Sequence, residues 1–208
     1  MAPVYKLKYF SYMGMVEPIK YLMAYGNIQY ENIVISDILI KGLKIYVTVA
    51  PFSKLPILEV DNKILWNSVA ISQYLAMLVG LWSMDDWEVA EMNAIAEVVY
   101  ELGQKTLNWN LEKNQDLKTI MWKELEEVLI PKYLTDMEEI LKKKGNFFGG
   151  KKLSWVDVYF TGILEFVELV TNKSLLQKQW PVLYQLYLEV RNVPTIKSYI
   201  SKRPAYKY

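Results

Sequence analysis

Lys54-Leu-Pro-Ile-Leu-Glu-Val-Asp-Asn-Lys-Ile-Leu-Trp-Asn-Ser-Val-Ala-Ile71 is the stretch on which the fold of this chain turns. Two short apolar runs, Ile57–Val60 and 64–66, flank Asp61-Asn62, a pair suited to closing a tight hairpin. A helix is expected from Asn67-Ser68, since both side chains satisfy the free N–H groups of a first turn. Pro56 precedes the first run, where a residue without an N–H shapes a fixed bend rather than a ladder rung. Strand, hairpin, helix N-terminus and proline together make a cradle for a carboxylate or phosphate. Taken alone, the same stretch reads first as a hairpin with an ordinarily capped helix.

Composition narrows the chemistry. The chain has 208 residues, 52% apolar and 23% charged, as an ordinary globular protein has. Its formal charge of +1 gives no electrostatic reason to expect nucleic acid or an anionic membrane as partner. No apolar run approaches the ~20 residues of a membrane span, and the start lacks a signal-peptide layout, so a cytoplasmic protein is expected. The chain contains no Cys and no His. Thiol nucleophiles, Ser-His-Asp triads, His-based proton transfer, Cys/His zinc sites and disulfides are therefore excluded. An enzyme built on this chain works with Tyr, Ser, Lys, Arg and carboxylates, or borrows a reactive group from a cosubstrate.

The two parts of the sequence follow different rules. Up to about Gly80, strand and helix signals alternate: a strand over 4–10 with Tyr5, Leu7 and Tyr9 on one face, a helix over 15–26 stopped by Gly26, and a strand over 28–35. Residues 37–48 are ambiguous, and the hairpin and helix complete a β-α-β-α-β-β-α unit. Beyond 81–86 long helical patterns take over, at 87–109 and at 117–144, with a bend expected at Pro131. Residues 145–150 break the pattern. Ser154 and Asp157 then form a capping box, with Leu153 and Val158 as its hydrophobic staple. Trp155, Tyr159, Ile163, Phe166 and Val170 follow at helical spacing and should face a core. Further helices are expected at 181–190 and 194–201.

Tyr5-Lys-Leu-Lys-Tyr-Phe10, Glu17-Pro-Ile-Lys20, Pro51-Phe52, Leu55-Pro-Ile-Leu-Glu-Val-Asp61, Asn67-Ser-Val-Ala-Ile-Ser-Gln-Tyr-Leu75 and Leu153-Ser-Trp-Val-Asp-Val-Tyr159 resemble the glutathione transferases, most nearly the sigma class of insects and of prostaglandin D synthase. The resemblance runs to Lys202-Arg-Pro204 and so covers nearly the whole chain. It implies an α/β, thioredoxin-like N-terminal domain over 1–80, which binds glutathione, and an all-α helical domain over 81–208, which contributes an electrophile pocket. A homodimer is implied as well. By resemblance Tyr9 takes the place of the catalytic tyrosine. A phenol of pKa ~10 stays protonated near neutral pH and can donate to sulfur, favouring the thiolate of glutathione. Tyr9 is also one of 16 tyrosines, for any of which packing is the plain alternative.

The resemblance assigns Leu55 and Pro56 to pairing with the cysteinyl unit and Ser68 to the γ-glutamyl carboxylate. It assigns Lys44 to the glycyl carboxylate, although a solvated charge is the other reading. Met13, Met15 and Trp109 are pocket candidates by position, and a core role for Trp109 stands equal. Four positions depart from the family pattern. Met15 stands where an arginine is common, Ile40 where a tryptophan holds the glycyl end, Asn67 where a glutamine flanks the serine, and Glu101 where an aspartate reaches across the dimer to the glutamyl amine. The 45–50 region also looks about three residues longer than usual. Each lost charge-assisted contact weakens glutathione binding by ~1–3 kcal/mol, roughly ten- to a hundredfold.

Two functions follow. The first is a glutathione transferase that conjugates the thiolate to small hydrophobic electrophiles, with prostaglandin-D-synthase-like isomerase or peroxidase activity within the same chemistry. The second is a non-catalytic, ligand-binding or crystallin-like member whose glutathione site has decayed.

Overall fold

The alternation of Tyr5, Leu7 and Tyr9 becomes β1 (Tyr5–Tyr9), with Leu7 and Tyr9 buried, in the computed structural model, which describes residues 3–35, 52 and 54–206. Helix α1 (Glu17–Tyr25) crosses over to β2 (Tyr30–Val34), which runs parallel to β1 with Tyr5 beside Tyr30 and Tyr9 beside Val34. The expected hairpin follows as β3 (Ile57–Val60) and β4 (Lys63–Trp66), antiparallel to each other. Asp61 turns between them at φ 54, a left-handed value that Asp tolerates because its short polar side chain bonds locally. That side chain accepts the Val4 N–H at 3.0 Å and so ties the hairpin to the start of β1. The sheet order is β2-β1-β3-β4. Lys6 and Lys8 flank Glu59 of β3 at 3.2 and 2.7 Å, an ion pair across the β1–β3 ladder. The ambiguous 37–48 segment, with Ile40 and Lys44, lies outside the described residues.

Helix α2 (Ser68–Val79) ends at Gly80, whose φ of 76 favours glycine. Gly26 was expected to stop α1 in the same way, but its φ is −83 and the left-handed residue is Asn27, at φ 51. What Gly26 supplies is room: a Cβ there would lie 2.3 Å from Val79 Cγ1, so the α1 and α2 ends meet closely because it has none.

The helical part opens with α3 (Asp86–Leu111), capped by the Asp85 carboxylate, and α4 (Gln115–Glu124), capped by Asn114. Leu125–Leu129 then widen into a π turn before α5 (Ile130–Lys144). The 117–144 pattern is thus a helical run interrupted just before Pro131. A wider turn there takes the missing N–H and the ring clash of proline out of the regular ladder. Helix α6 (Trp155–Thr171) carries the expected capping box, and Trp155, Tyr159, Ile163 and Phe166 are all buried, Val170 partly so. The sequence pattern missed the short α7 (Leu176–Gln179); α8 (Pro181–Asn192) and α9 (Pro194–Lys202) follow as expected. The buried Glu138 of α5 caps α8, accepting the Val182 and Leu183 N–H groups at 3.1 and 3.2 Å.

Helix α6 packs against both α1 and α3, so it joins the sheet part to the helical part. A polar cluster locks the same seam. The buried Glu17 carboxylate accepts from Arg203 at 2.5 Å and Tyr199 at 3.0 Å, while Glu165 accepts from Arg203, Arg191 and Tyr21. Burial alone would push the Glu165 carboxyl up, but the Arg203 guanidinium, Tyr21 and Arg191 hold it below its ordinary value.

Candidate active site

Tyr9 ends β1, and the strand pairing decides its neighbours. Lys8 pairs with Ile57 and Ile57 with Trp66, so Pro56 and the Asn67-Ser68 corner fall at the same end of the sheet as Tyr9. The Leu55–Pro56 bond is cis and Pro56 is buried, with Leu55 half-buried. Four of the expected site residues, Tyr9, Pro56, Asn67 and Ser68, are thus brought together by sheet register alone.

The Tyr9 ring is held edge-on by Phe10 and Tyr12, at centroid distances of 5.3 and 5.9 Å. Its hydroxyl lies under the loop that follows β1, where a Cβ on Gly14 would come within 2.7 Å of it. Burial, reinforced by Tyr12, pushes the Tyr9 phenol above its ordinary range, and the Met15 backbone N–H opposes that shift by donating toward the oxygen. The group is therefore protonated at neutral pH. With Met15 occupying a lone pair, the phenol proton remains to be donated elsewhere.

Asn67 sits at φ 73 and ψ 128, and its Oδ1 accepts the Val69 and Ala70 N–H groups at 2.9 and 3.3 Å. This accounts for the departure from glutamine: Asn is the right length to cap its own helix, which directs the amide inward. Ser68 is 1% exposed, and its Oγ lies 2.8 Å from the hydroxyl of Tyr159 on α6. Burial pushes the Tyr159 phenol up as well; its bond to Ser68 opposes this, while Tyr100, Glu97 and Tyr9 add to it. Tyr159 is thus bonded to Ser68 and near enough to Tyr9 to feel its charge. Helical spacing marked it only as core, and nothing in the sequence linked it to Ser68. Glu97 was missed too; it precedes Glu101 by one helical turn.

The remaining candidates lie elsewhere or are packed. Met13 and Met15 are 1% and 2% exposed, and the Met15 sulfur and Ile163 of α6 both crowd Gly103 of α3, in the seam. A Cβ on Gly103 would meet that sulfur at 3.0 Å. Trp109, near the end of α3, packs on Trp122 at 4.7 Å with Lys118 over its ring at 5.5 Å. Glu101 is exposed, 3.8 Å from Lys105, with Tyr133 bonded to it. Among the described residues, no cluster of three or more His, Cys, Asp or Glu is placed to hold a metal ion, and no helix is long and apolar enough to cross a membrane.

Comparison with known proteins gives the same family from several directions. Residues 5–77 match the family profile "Glutathione S-transferase, N-terminal domain", and residues 100–203 match "Glutathione S-transferase, C-terminal domain". The chain is 34% identical to a glutathione S-transferase of Anopheles gambiae over 97% of its own length and 98% of the relative's. It is 36% identical to hematopoietic prostaglandin D synthase of Gallus gallus, over 97% and 98%. Among solved structures, prostaglandin synthase D of Nilaparvata lugens superposes with a TM-score of 0.89 at 29% identity, covering 98% of this chain and all (100%) of that one.

Proposed function

The chain belongs to the glutathione S-transferase family, whose members use glutathione as cosubstrate, and we propose that the Tyr9 hydroxyl is the group that activates it. A hydrogen bond from a protonated phenol stabilises sulfur as the thiolate, the form that attacks. The thiol proton leaves to solvent, a carbon–sulfur bond forms at the electrophile, and the displaced electron pair goes to the leaving group or along the acceptor double bond. Tyr9 needs no second proton transfer in this scheme. Its upward shift supports the role, since it keeps the donor protonated at neutral pH.

In this reading Leu55 and Pro56 pair with the cysteinyl unit, and Ser68 at the start of α2 receives the γ-glutamyl carboxylate. Met13 and Met15, both buried, would support the electrophile pocket from behind rather than line it, and Lys44, in the segment 36–51, would meet the glycyl carboxylate. The two domains divide near Gly80-Leu81. The working form is a cytoplasmic homodimer: Phe52 is 78% exposed beside Trp66, an apolar side chain suited to a partner's surface, and the outward Glu101 would exchange its contacts with Lys105 and Tyr133 for the glutamyl amine bound across the dimer. Electrophiles are small and hydrophobic, with endoperoxide isomerisation or peroxide reduction open to the same thiolate. The single observation that carries this reading is the buried Tyr9 hydroxyl at the sheet end shared with Pro56 and Ser68.

Calorimetric titration with glutathione, paired with a conjugation assay on wild type and Tyr9→Phe, tests it. The expected result is unchanged glutathione affinity in the mutant with kcat/KM lowered by about a hundredfold or more. Neither heat nor turnover at millimolar glutathione would overturn it and leave the crystallin-like alternative.

A further inference from the structure

We infer that Tyr159 is a positioning residue for the substrate carboxylate: its phenol donates to Ser68 Oγ and so turns the serine proton outward, toward the ligand. The inference rests on the reading of Ser68 given above and deepens it. Two buried hydroxyls 2.8 Å apart have one proton each, and either oxygen could be the donor. If Ser68 donates to Tyr159, its only proton is spent and a carboxylate would meet a lone pair. If Tyr159 donates, the serine proton is free. A carboxylate accepts and never donates, so its arrival selects the second order.

Three observations favour that order. A phenol is the stronger acid of the two hydroxyls and therefore the better donor. Tyr159 is 0% exposed and its burial keeps the proton on, so the donor is present at every working pH. Asn67 already takes the Val69 and Ala70 N–H groups, which leaves the α2 N-terminus with fewer donors and makes the Ser68 hydroxyl carry more of the carboxylate's binding. A chain from phenol to serine to carboxylate then polarises along its length, each bond strengthening the next. Because Tyr159 belongs to α6 and Ser68 to α2, a ligand contact in the sheet part is set by a side chain of the helical part.

The test is a double-mutant cycle on the full chain with glutathione itself as probe, using Ser68→Ala, Tyr159→Phe and the double variant. Affinity is read by calorimetry, KM and kcat by a conjugation assay, and folding by thermal melts. Ser68→Ala is expected to weaken binding by about tenfold or more, and Tyr159→Phe by about three- to tenfold. The double variant should be no weaker than Ser68→Ala, with the loss falling on KM for glutathione more than on kcat. A purely structural Tyr159 would lower the melting temperature and leave the affinity and the cycle additive, which overturns the inference. Wild-type affinity in Ser68→Ala overturns the reading of Ser68 and this inference with it; weakened Ser68→Ala beside unaffected Tyr159→Phe overturns this inference alone. Should Tyr159→Phe melt too early to assay, site-specific 3-fluorotyrosine at 159, a stronger donor of nearly the same shape, is expected to tighten binding, and unchanged or weaker binding refutes the proposal.

Discussion

The Tyr9 hydroxyl lies so close under Gly14 that a single added methyl carbon there would stand 2.7 Å from its oxygen. The loop that follows β1 therefore presses the phenol into one position, and the side chain that would disturb it is the smallest one possible. Gly14→Ala is expected to displace the hydroxyl, which is the tip of a side chain, against the hold of Phe10 and Tyr12 on its ring. A shift of about 1 Å in a catalytic group costs on the order of a hundredfold, so in the proposed role of Tyr9 kcat/KM should fall by that much while glutathione affinity changes little. Steady-state kinetics with calorimetric binding check it.

Asp157 accepts three buried donors: the Phe148 N–H at 2.8 Å, the Ser154 N–H at 2.7 Å and the Ser154 hydroxyl at 2.6 Å. Removing the carboxylate strands all three at the start of the helix that joins the two parts. Asp157→Ala is expected to destabilise the fold by about 3 kcal/mol or more at neutral pH, as chemical denaturation would register.

The same carboxyl gives a pH signature. Burial pushes Asp157 up to about 6 against the pull of its three donors. An unfolded Asp titrates near ~4, so the folded chain keeps the proton over a range where the unfolded chain has lost it. This group's contribution is therefore full below about pH 4 and fades as pH rises toward 6, by roughly 3 kcal/mol. The stability of wild type relative to Asp157→Asn, which does not titrate, should fall by that amount across this window. A flat difference would show that the three donors cancel the effect of burial, and a rise with pH that they outweigh it.

Arg203 holds the seam by its bonds to Glu17 and Glu165, two carboxylates on α1 and α6. Arg203→Met keeps the packing volume but leaves Glu17, which is 0% exposed, without its guanidinium. The expected loss is about 3–5 kcal/mol, and Glu17→Gln in the same chain should recover part of it, since the uncompensated charge is the cost. Thermal or urea unfolding of the single and double variants measures both steps.

Phe52 is held at φ 59 with 78% of its surface exposed, and the Trp66 ring, 5.9 Å away, covers little of it. In the proposed homodimer this side chain would meet the partner, so wild type should sediment as a dimer and Phe52→Ser as a monomer with an unchanged far-ultraviolet spectrum; a monomeric wild type would overturn the proposed assembly.

Much of this was legible in the residues themselves. The hairpin at Asp61-Asn62, the Asn67 cap and the Ser154–Asp157 box are local devices whose bonds close within a few residues, so spacing and side-chain type fix them. The lack of Cys and His was equally decisive, because it removed whole classes of chemistry whatever the fold. Periodicity placed Tyr159 on a buried face, and there its information ended. That its hydroxyl meets Ser68, 91 positions earlier, depends on how α6 seats against α2, and no local rule states that. Met15 and Glu101 show the same boundary: each could be set in a helix or loop by pattern, but only packing sent one sulfur into the Gly103 seam and left the other side chain on the outer face. Local order is written in neighbours along the chain, whereas a site is written in neighbours across it, and those are chosen by the collective fit of buried side chains.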